Sequence, residues 1–430
     1  MRVAILGGGP CGSALALLLA REGAEVALFD DGRRPEIVVG ESLVPAIVPL
    51  LKRLDIEEET AKLGLVKPGV SFNWSPVDRF SFTFARFSPA VPAYAYNIPR
   101  PQFDEALLAK AVSAGARRVD ARARVEPTAN NANGSELALA PESLALAPVL
   151  GGRQPDLVVD ATGRARLVAR VLKIPARVGP RDDVAHFAHF ENCQWEEAAG
   201  QVVIGRLDAG WSWCIPLRDR VSVGVVMARE DAARLGRTPA ERLEHAIAAA
   251  PRLSAVVDGA KRVTGVATYS NYQLISRRGH GPGWVMIGDA FGFVDPMLSP
   301  GVFLALRSAE LVADALIPFV HRGVVPSPSD LAATLRSYAA TQTAMLDAWS
   351  DLVGTFYDGR MAALIRAGRG WMEHGRGPAT LKTAAQNHIE KHVAMQASGV
   401  ATTSRYSRGL LRFLGRHGLR GVAPSGLAIR

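Results

Sequence analysis

Cysteine is nearly missing from this chain: Cys11, Cys193 and Cys214 are the three in 430 residues, and no two share a short spacing. That excludes a disulfide framework or a cysteine zinc site and points to a reducing cytoplasm. No apolar run reaches the length that spans a bilayer, so no transmembrane helix is expected. Met1 leads directly into Arg2-Val3-Ala4-Ile5-Leu6, which reads as a first strand rather than a secretory leader. Acid falls short of base, 41 Asp and Glu against 50 Lys and Arg, leaving a formal charge of +9. That excess suits an acidic partner or surface. With no zinc-finger or RNP-type signature beside it, nucleic acid is not an expected partner. No internal repeat interrupts the chain, and its length allows two or three domains around a large core.

What is present begins at the N-terminus. The strand at residues 2–6 runs into Gly7-Gly8-Gly9-Pro10-Cys11-Gly12, an alanine- and leucine-rich helix over 13–22, and a second strand over 24–29 that ends at Asp30. Gly7, Gly9 and Gly12 fit a dinucleotide fingerprint, in which glycines permit a tight turn, close approach to a pyrophosphate and close helix–strand packing. The helix N-terminus offers free N–H groups to the phosphates, and the Asp30 carboxylate stands where ribose hydroxyls can donate to it.

Tryptophan is scarce, seven in the chain, yet two fall in Trp211-Ser212-Trp213-Cys214-Ile215-Pro216. Side chains alternate along a strand, so both indoles project to one face. Two readings are open: a bulky plug between layers, or the wall of a site.

Downstream, Trp284-Val285-Met286-Ile287-Gly288-Asp289-Ala290, then Phe293, Asp295, Pro296, Ser299 and Gly301, precede an apolar helix over 302–316. This stretch resembles the second FAD-binding element of the flavoprotein monooxygenase superfamily. Leu157-Val158-Val159-Asp160-Ala161-Thr162-Gly163 resembles the third, and Arg100, Gln102 and Asp104 resemble the segment whose arginine approaches the cofactor. Three further matches narrow the resemblance to the flavin-dependent halogenases, on the p-hydroxybenzoate hydroxylase-type fold. They are Gly40-Glu41-Ser42, the WxWxIP segment 211–216, and the FxxPxxSxG segment 293–301.

The resemblance implies FAD, used as FADH2 from a separate flavin reductase, with dioxygen and a chloride or bromide ion giving hypohalous acid. A lysine then relays the acid to an electron-rich aromatic substrate, free or tethered to a carrier protein. Lys67, in Val66-Lys67-Pro68-Gly69-Val70-Ser71-Phe72, is similar to the lysine-bearing stretch of the phenol- and pyrrole-acting members; the plain alternative is a solvated loop lysine. Lys52 and Lys62 lie in a polar helical pattern. Catalytic roles would then fall to Lys67, Glu41, Trp211 and Trp213, the tryptophans keeping organic substrate off the flavin. Cofactor contacts would fall to Gly7, Gly9, Gly12, Asp30, Glu41, Ser42, Arg100, Gly288, Asp289, Pro296 and Gly301, and halide contacts to Ser299 and Gly301. No metal site is expected.

Two departures stand out. Pro300, between Ser299 and Gly301, has no N–H to offer a halide. Leu298 occupies the position where tryptophan halogenases carry a glutamate, which favours a phenol or pyrrole over free tryptophan. The alternatives are a flavin monooxygenase without halide use and a non-catalytic flavoprotein. The hydroxylase reading is weakened because Asp160-Ala161-Thr162-Gly163 lacks the Asp-Gly pair that NAD(P)H-using members carry there.

The fold class expected is α/β: a Rossmann-like FAD-binding domain from residues 1–75, 97–180 and 280–325, with a mixed β-sheet substrate domain from 76–96 and 181–279. Strands are expected at 80–84, 93–98, 186–191 and 221–226, and a loop at 128–134. His186 and His189 face opposite sides of a strand and read as structural. Residues 326–430 form a helical region, with helices over 331–346 and 352–365 and Tyr357 and Arg360 near the pocket. Arg408, Arg412, Arg416 and Arg420 recur every four residues among weakening glycines. They make either a frayed solvated tail or a basic face for an acidic carrier or for peripheral contact with an anionic membrane.

Overall fold

The computed structural model describes every residue except 76, 129–135, 271, 272, 376, 420 and 421. Strands Leu157–Asp160, Arg2–Leu6, Glu25–Phe29 and Arg117–Val119 lie side by side in parallel, with Trp284–Met286 parallel on the outer side of Leu157–Asp160 and His280–Gly281 antiparallel at the edge. Strands buried on both faces need continuous apolar runs, and Val3-Ala4-Ile5-Leu6 is such a run. Helix Pro10–Arg21 is apolar all round because it is enclosed, packed against Gly301–His321 and Arg100–Ser113.

The second layer is an eight-stranded sheet in which Trp211–Pro216 is central, paired antiparallel with Val202–Arg206 and Val221–Ala228. Strand Asp183–Glu191 shows why the sheet holds its place. Ala185 and Phe187 join the core on the cofactor side, while Val184, Ala188 and Phe190 pack with Leu243 and Ile247 of helix Pro239–Ala248. Both faces are covered, so a one-residue slip would exchange the two cores.

Several expectations need correcting. Gly69–Asn73 pairs parallel with Val202–Arg206, so it belongs to this sheet and not to the nucleotide unit. Ala95–Asn97 does not enter the sheet; it pairs with Leu65–Lys67 in a separate ribbon, which Asn97 ties to the sheet through the Gly200 and Pro216 carbonyls. The C-terminal break expected near residue 350 is absent. Helix Pro328–Tyr357 runs for 30 residues because Trp349 is a core residue, and the chain turns instead at Gly359, whose φ of +77° suits glycine. The basic segment is no frayed tail: Ser404 caps helix Arg405–His417, Leu411 is buried, and Arg408 and Arg412 both bind Asp351. Those two guanidiniums share one acid, Arg412 remaining exposed as Arg416 is, and Arg420 lies outside the described residues. The loop expected at 128–134 lies outside them too, except Thr128. Among the described residues no helix is long and apolar enough to cross a membrane.

Candidate active site

A cavity of about 430 Å³ lies between the two layers, and the glycine-rich loop forms one end of it. The glycines divide by what surrounds them. A Cβ at Gly7 (φ +109°) would sit 2.5 Å from the Ala161 carbonyl oxygen, and one at Gly12 would sit 1.9 Å from the Gly7 carbonyl oxygen. Both exist so that backbones can touch. Gly9 has φ −69° and lines the cavity, yet a Cβ there would meet nothing within 4 Å. No neighbour in the protein itself requires glycine at this point, and its absent side chain leaves the loop open to the cavity. Helix Pro10–Arg21 aims its N-terminal N–H groups at the same space, and Arg34, Arg100 and Arg164 line it. These features fit the pyrophosphate of FAD.

Asp30 is not on the cavity wall. Arg34 clasps both carboxylate oxygens at 2.8 and 2.9 Å, and Arg118 stands 3.4 Å away. The wall residue is therefore Arg34, which sequence reasoning missed although its i,i+4 spacing from Asp30 was visible. Arg100 is held by Asp104 through two bonds, at 2.9 and 3.1 Å, and by the Val39 carbonyl at 2.8 Å, while Gln102 is exposed. Asp289 sits on the turn Gly288–Ala290 and reaches the wall; burial raises its carboxyl to about 6, against the pull of Arg100 and Arg164. Gly288 itself forms the turn (φ +55°), with Cys11 too close for a side chain. Asp160 caps local backbone at Thr162 and Val168 and is a structural residue.

The opposite wall carries both tryptophans, with ring centroids 5.8 Å apart. Trp213 lies across Gly224, where a Cβ would come within 2.2 Å of its ring, and its N–H reaches Ser222 at 3.3 Å. Trp211 donates at 2.9 Å to the hydroxyl of Tyr357, which donates to buried Asp295 at 3.1 Å. Asp295 also accepts from Gln273 and from the Met297 N–H; burial raises its carboxyl to about 6 despite these bonds. Tyr357, expected near the pocket with packing as its main role, is thus the clamp that fixes the Trp211 indole. Replacing Tyr357 with Phe leaves one indole N–H without its acceptor and Asp295 one donor short, with Gln273 and the Met297 N–H remaining. We expect about 1–3 kcal/mol of lost stability in denaturant titration, beyond what the lost hydroxyl contributes to packing.

Lys67 is buried at 2 % exposure, not solvated. Its amine donates to the Ser42 hydroxyl at 2.8 Å and the Leu43 carbonyl at 2.9 Å, and it stands 5.7 Å from the Phe84 ring centre. Lys67 is not itself on the cavity wall; Ser42 is, with Lys67 directly behind it. Burial lowers its pKa from the ordinary 10.5 to about 7. A neutral amine has two N–H bonds, and Ser42 and Leu43 take both, which leaves its lone pair uncommitted. Between pH 7 and 10.5 the unfolded chain holds a proton that the folded chain lacks, so stability rises with pH across that window. We expect Lys67→Met to be most stabilised relative to the parent near pH 7, with the difference shrinking as pH approaches 10.5. Unfolding free energies measured across that range check the slope. Lys52 and Lys62 are exposed.

Glu41 is on the wall and 2 % exposed, with His189 Nε2 lying 2.9 Å from one carboxylate oxygen and 3.1 Å from the other. His186 points the other way, to Thr268, so the two histidines do occupy opposite faces. The partnership of His189 with Glu41, 148 positions apart, had no sequence signal. Pro296, Ser299 and Gly301 line the cavity where helix Gly301–His321 begins. Leu298 and Ser299 are both left-handed (φ +65° and +60°), and the Ser299 N–H is already committed to the Pro296 carbonyl. With Pro300 lacking an N–H, Gly301 supplies the first uncommitted amide of that turn.

The sequence model of the tryptophan halogenase family matches residues 2–93 and 85–363. The chain is 30 % identical over 365 residues to a tryptophan 2-halogenase of Chondromyces crocatus, covering 83 % of this chain and 68 % of that protein. It is 28 % identical to a 1H-pyrrole-2-carbonyl-[peptidyl-carrier protein] chlorinase of Pseudomonas fluorescens, covering 74 % and 76 %. It is also 28 % identical to the flavin-dependent halogenase gsfI of Penicillium aethiopicum, covering 73 % and 64 %. The match spans about two thirds of the length of several such relatives. The fold is shared with the flavin-dependent brominase Bmp2 (TM-score 0.73, 20 % identity, 96 % and 98 % covered). It is shared as well with a flavoprotein/dehydrogenase from Cytophaga hutchinsonii (TM-score 0.76, 19 % identity, 97 % and 98 % covered). Glycine loop, tryptophan wall and FxxPxxSxG turn thus stand in one cavity in a chain that belongs to the tryptophan halogenase family of flavin-dependent enzymes.

Proposed function

We propose that this protein halogenates an electron-rich aromatic ring, and that Lys67 carries the halogenating equivalent from the flavin cavity to the substrate. The observation that carries this reading is the Ser42–Lys67 pair: a buried amine that loses its proton near pH 7, one hydrogen bond behind the cavity wall. FAD would lie along Gly9, Arg34, Arg100 and Asp289, and as FADH2 with dioxygen it supplies the oxidising power that turns halide into hypohalous acid. The chain's own residues do the rest. Trp211 and Trp213, fixed by Tyr357 and Gly224, keep a bulky ring out of the flavin space while small molecules pass. Glu41, oriented by His189, fixes charge on the wall. Gly301 and the Ser299 hydroxyl form the halide end, and Ser42 orients the Lys67 amine.

On substrate, Leu298 argues for a phenol or pyrrole, free or delivered on a carrier protein as in the name of the pyrrole-carrier relative. The tryptophan 2-halogenase relative makes an indole the necessary comparison. The test supplies FADH2 from a separate reductase, oxygen, and chloride or bromide with an activated phenol, a pyrrole and free tryptophan in parallel, and reads product mass. Halogenated phenol or pyrrole supports the reading, and halogenated tryptophan alone would overturn the substrate assignment. A second reading is favoured by one feature, the amide-poor turn at Ser299-Pro300. If the enzyme is a halide-independent hydroxylase, oxygenated product forms equally well without halide. Contact of the basic helix with a carrier or a membrane surface rests on Arg416 and exposed Arg412, since Arg408 and Arg412 share one acid, Asp351.

A further inference from the structure

A second hollow, about 780 Å³, opens where strand Arg79–Thr83 meets helices Arg360–His374, Ala379–Ala397 and Arg405–His417. It falls in the range of about 300–1,000 Å³ that small-molecule sites occupy. Most of its lining comes after residue 363, beyond the reach of the family match.

The hollow exists because one helix wall is stripped of bulk. Ala367, Gly368 and Gly370 face it from one helix and Ala385 from the next. A glycine inside a helix weakens it relative to alanine. Neither Gly368 nor Gly370 takes a positive φ. A Cβ at Gly370 would meet nothing within 4 Å, and one at Gly368 would meet only the flexible Gln386 side chain. Neither turn geometry nor packing calls for glycine, so the small wall serves to keep space open. Facing it are Phe80, Phe82, Leu364 and Ile389, with Trp371 at the edge, 38 % exposed.

Charge at the rim leaves one cation in excess, three arginines against Glu390 and the neighbouring Asp78. Arg86, Arg366 and Arg369 stand against Glu390 alone among the lining acids. Arg86 is paired with Glu390 and Arg366 with Asp78, whereas the hydrogen bond of Arg369 goes to the Arg79 carbonyl, a neutral acceptor. An apolar slot with a cationic mouth selects a molecule with an apolar body and an anionic end.

We propose that this hollow binds a single-chain anionic amphiphile, its chain between Phe80, Phe82 and the small helix wall and its head at Arg369. The proposal does not draw on halogenation and stands or falls without it. Calorimetric titration of the full chain with octanoate, decanoate and decyltrimethylammonium tests it. One decanoate per chain is expected, bound roughly fifteenfold more tightly than octanoate, since each of its two extra buried methylenes strengthens binding about fourfold. The ammonium of equal length should bind at least about tenfold more weakly, and Arg369→Gln should narrow that preference. Gly370→Leu and, from the facing helix, Ala385→Leu should each remove decanoate binding while FAD uptake persists. No saturable binding below about 1 mM, equal binding of both head groups, or decanoate binding that survives both filling substitutions would overturn it. If either variant fails to fold, the other variant and the head-group comparison on the parent chain still decide.

Discussion

Lys67→Met is expected to cut halogenated product by about 10²–10⁴-fold, the range over which a positioned acid–base group acts, while FAD binding and oxygen consumption by the reduced enzyme continue. The separation follows from position. Ser42, not Lys67, forms the wall of the flavin cavity, and Lys67 reaches that wall by a single hydrogen bond of 2.8 Å. Methionine fills the same apolar sleeve beside Phe84 without a nitrogen to present. Arginine would not rescue, because a guanidinium stays charged at any working pH and has no lone pair to offer. The parent should gain activity as pH rises through about 7, where burial lets the amine lose its proton. Product mass measured beside oxygen uptake reads both halves. Persistent halogenation in Lys67→Met would move the relay to another residue, whereas loss of flavin binding in that variant would mean that Lys67 supports the cavity itself.

The division between what was legible and what was not follows contact range. The nucleotide strand, turn and helix were legible because their glycines and apolar runs are local, and the Trp211 and Trp213 pair because a two-residue period fixes a shared face. The partners of those residues were not. Tyr357 is 146 positions from Trp211, His189 is 148 from Glu41, and no periodicity links them. Strand Gly69–Asn73 was misassigned although its hairpin partner Arg79–Thr83 is local; only its pairing with Val202–Arg206 is parallel and distant, and such a crossover leaves no turn signature. Asp30 failed differently. Its position was right, but a guanidinium four residues on turns the carboxylate inward, which a fingerprint built on the acid alone does not anticipate.

That difference between a motif and its surroundings gives the second large effect. Gly9→Val is expected to fold and yet to be purified without flavin, with FAD affinity reduced by at least about 10²-fold, or roughly 3 kcal/mol. Its φ of −69° suits any residue, and its Cβ would point into open cavity, so the fold should lose only about 1 kcal/mol, the cost of a non-capping residue at that N-cap position. The added methyl groups would occupy the space against which the pyrophosphate fits. Gly12→Val, three residues on, should do the opposite: its Cβ would overlap the Gly7 carbonyl oxygen at 1.9 Å, a collision between backbones that no rotamer relieves. We expect a loss beyond about 4 kcal/mol, the exceptional range for single substitutions, and therefore little folded protein to assay. Flavin absorbance per chain, read beside Tm, separates the two. If Gly9→Val retained flavin at the parent's stoichiometry, the cofactor would not lie against this loop, and the assignment of Gly9, Arg34 and Arg100 to its phosphates would fall with it.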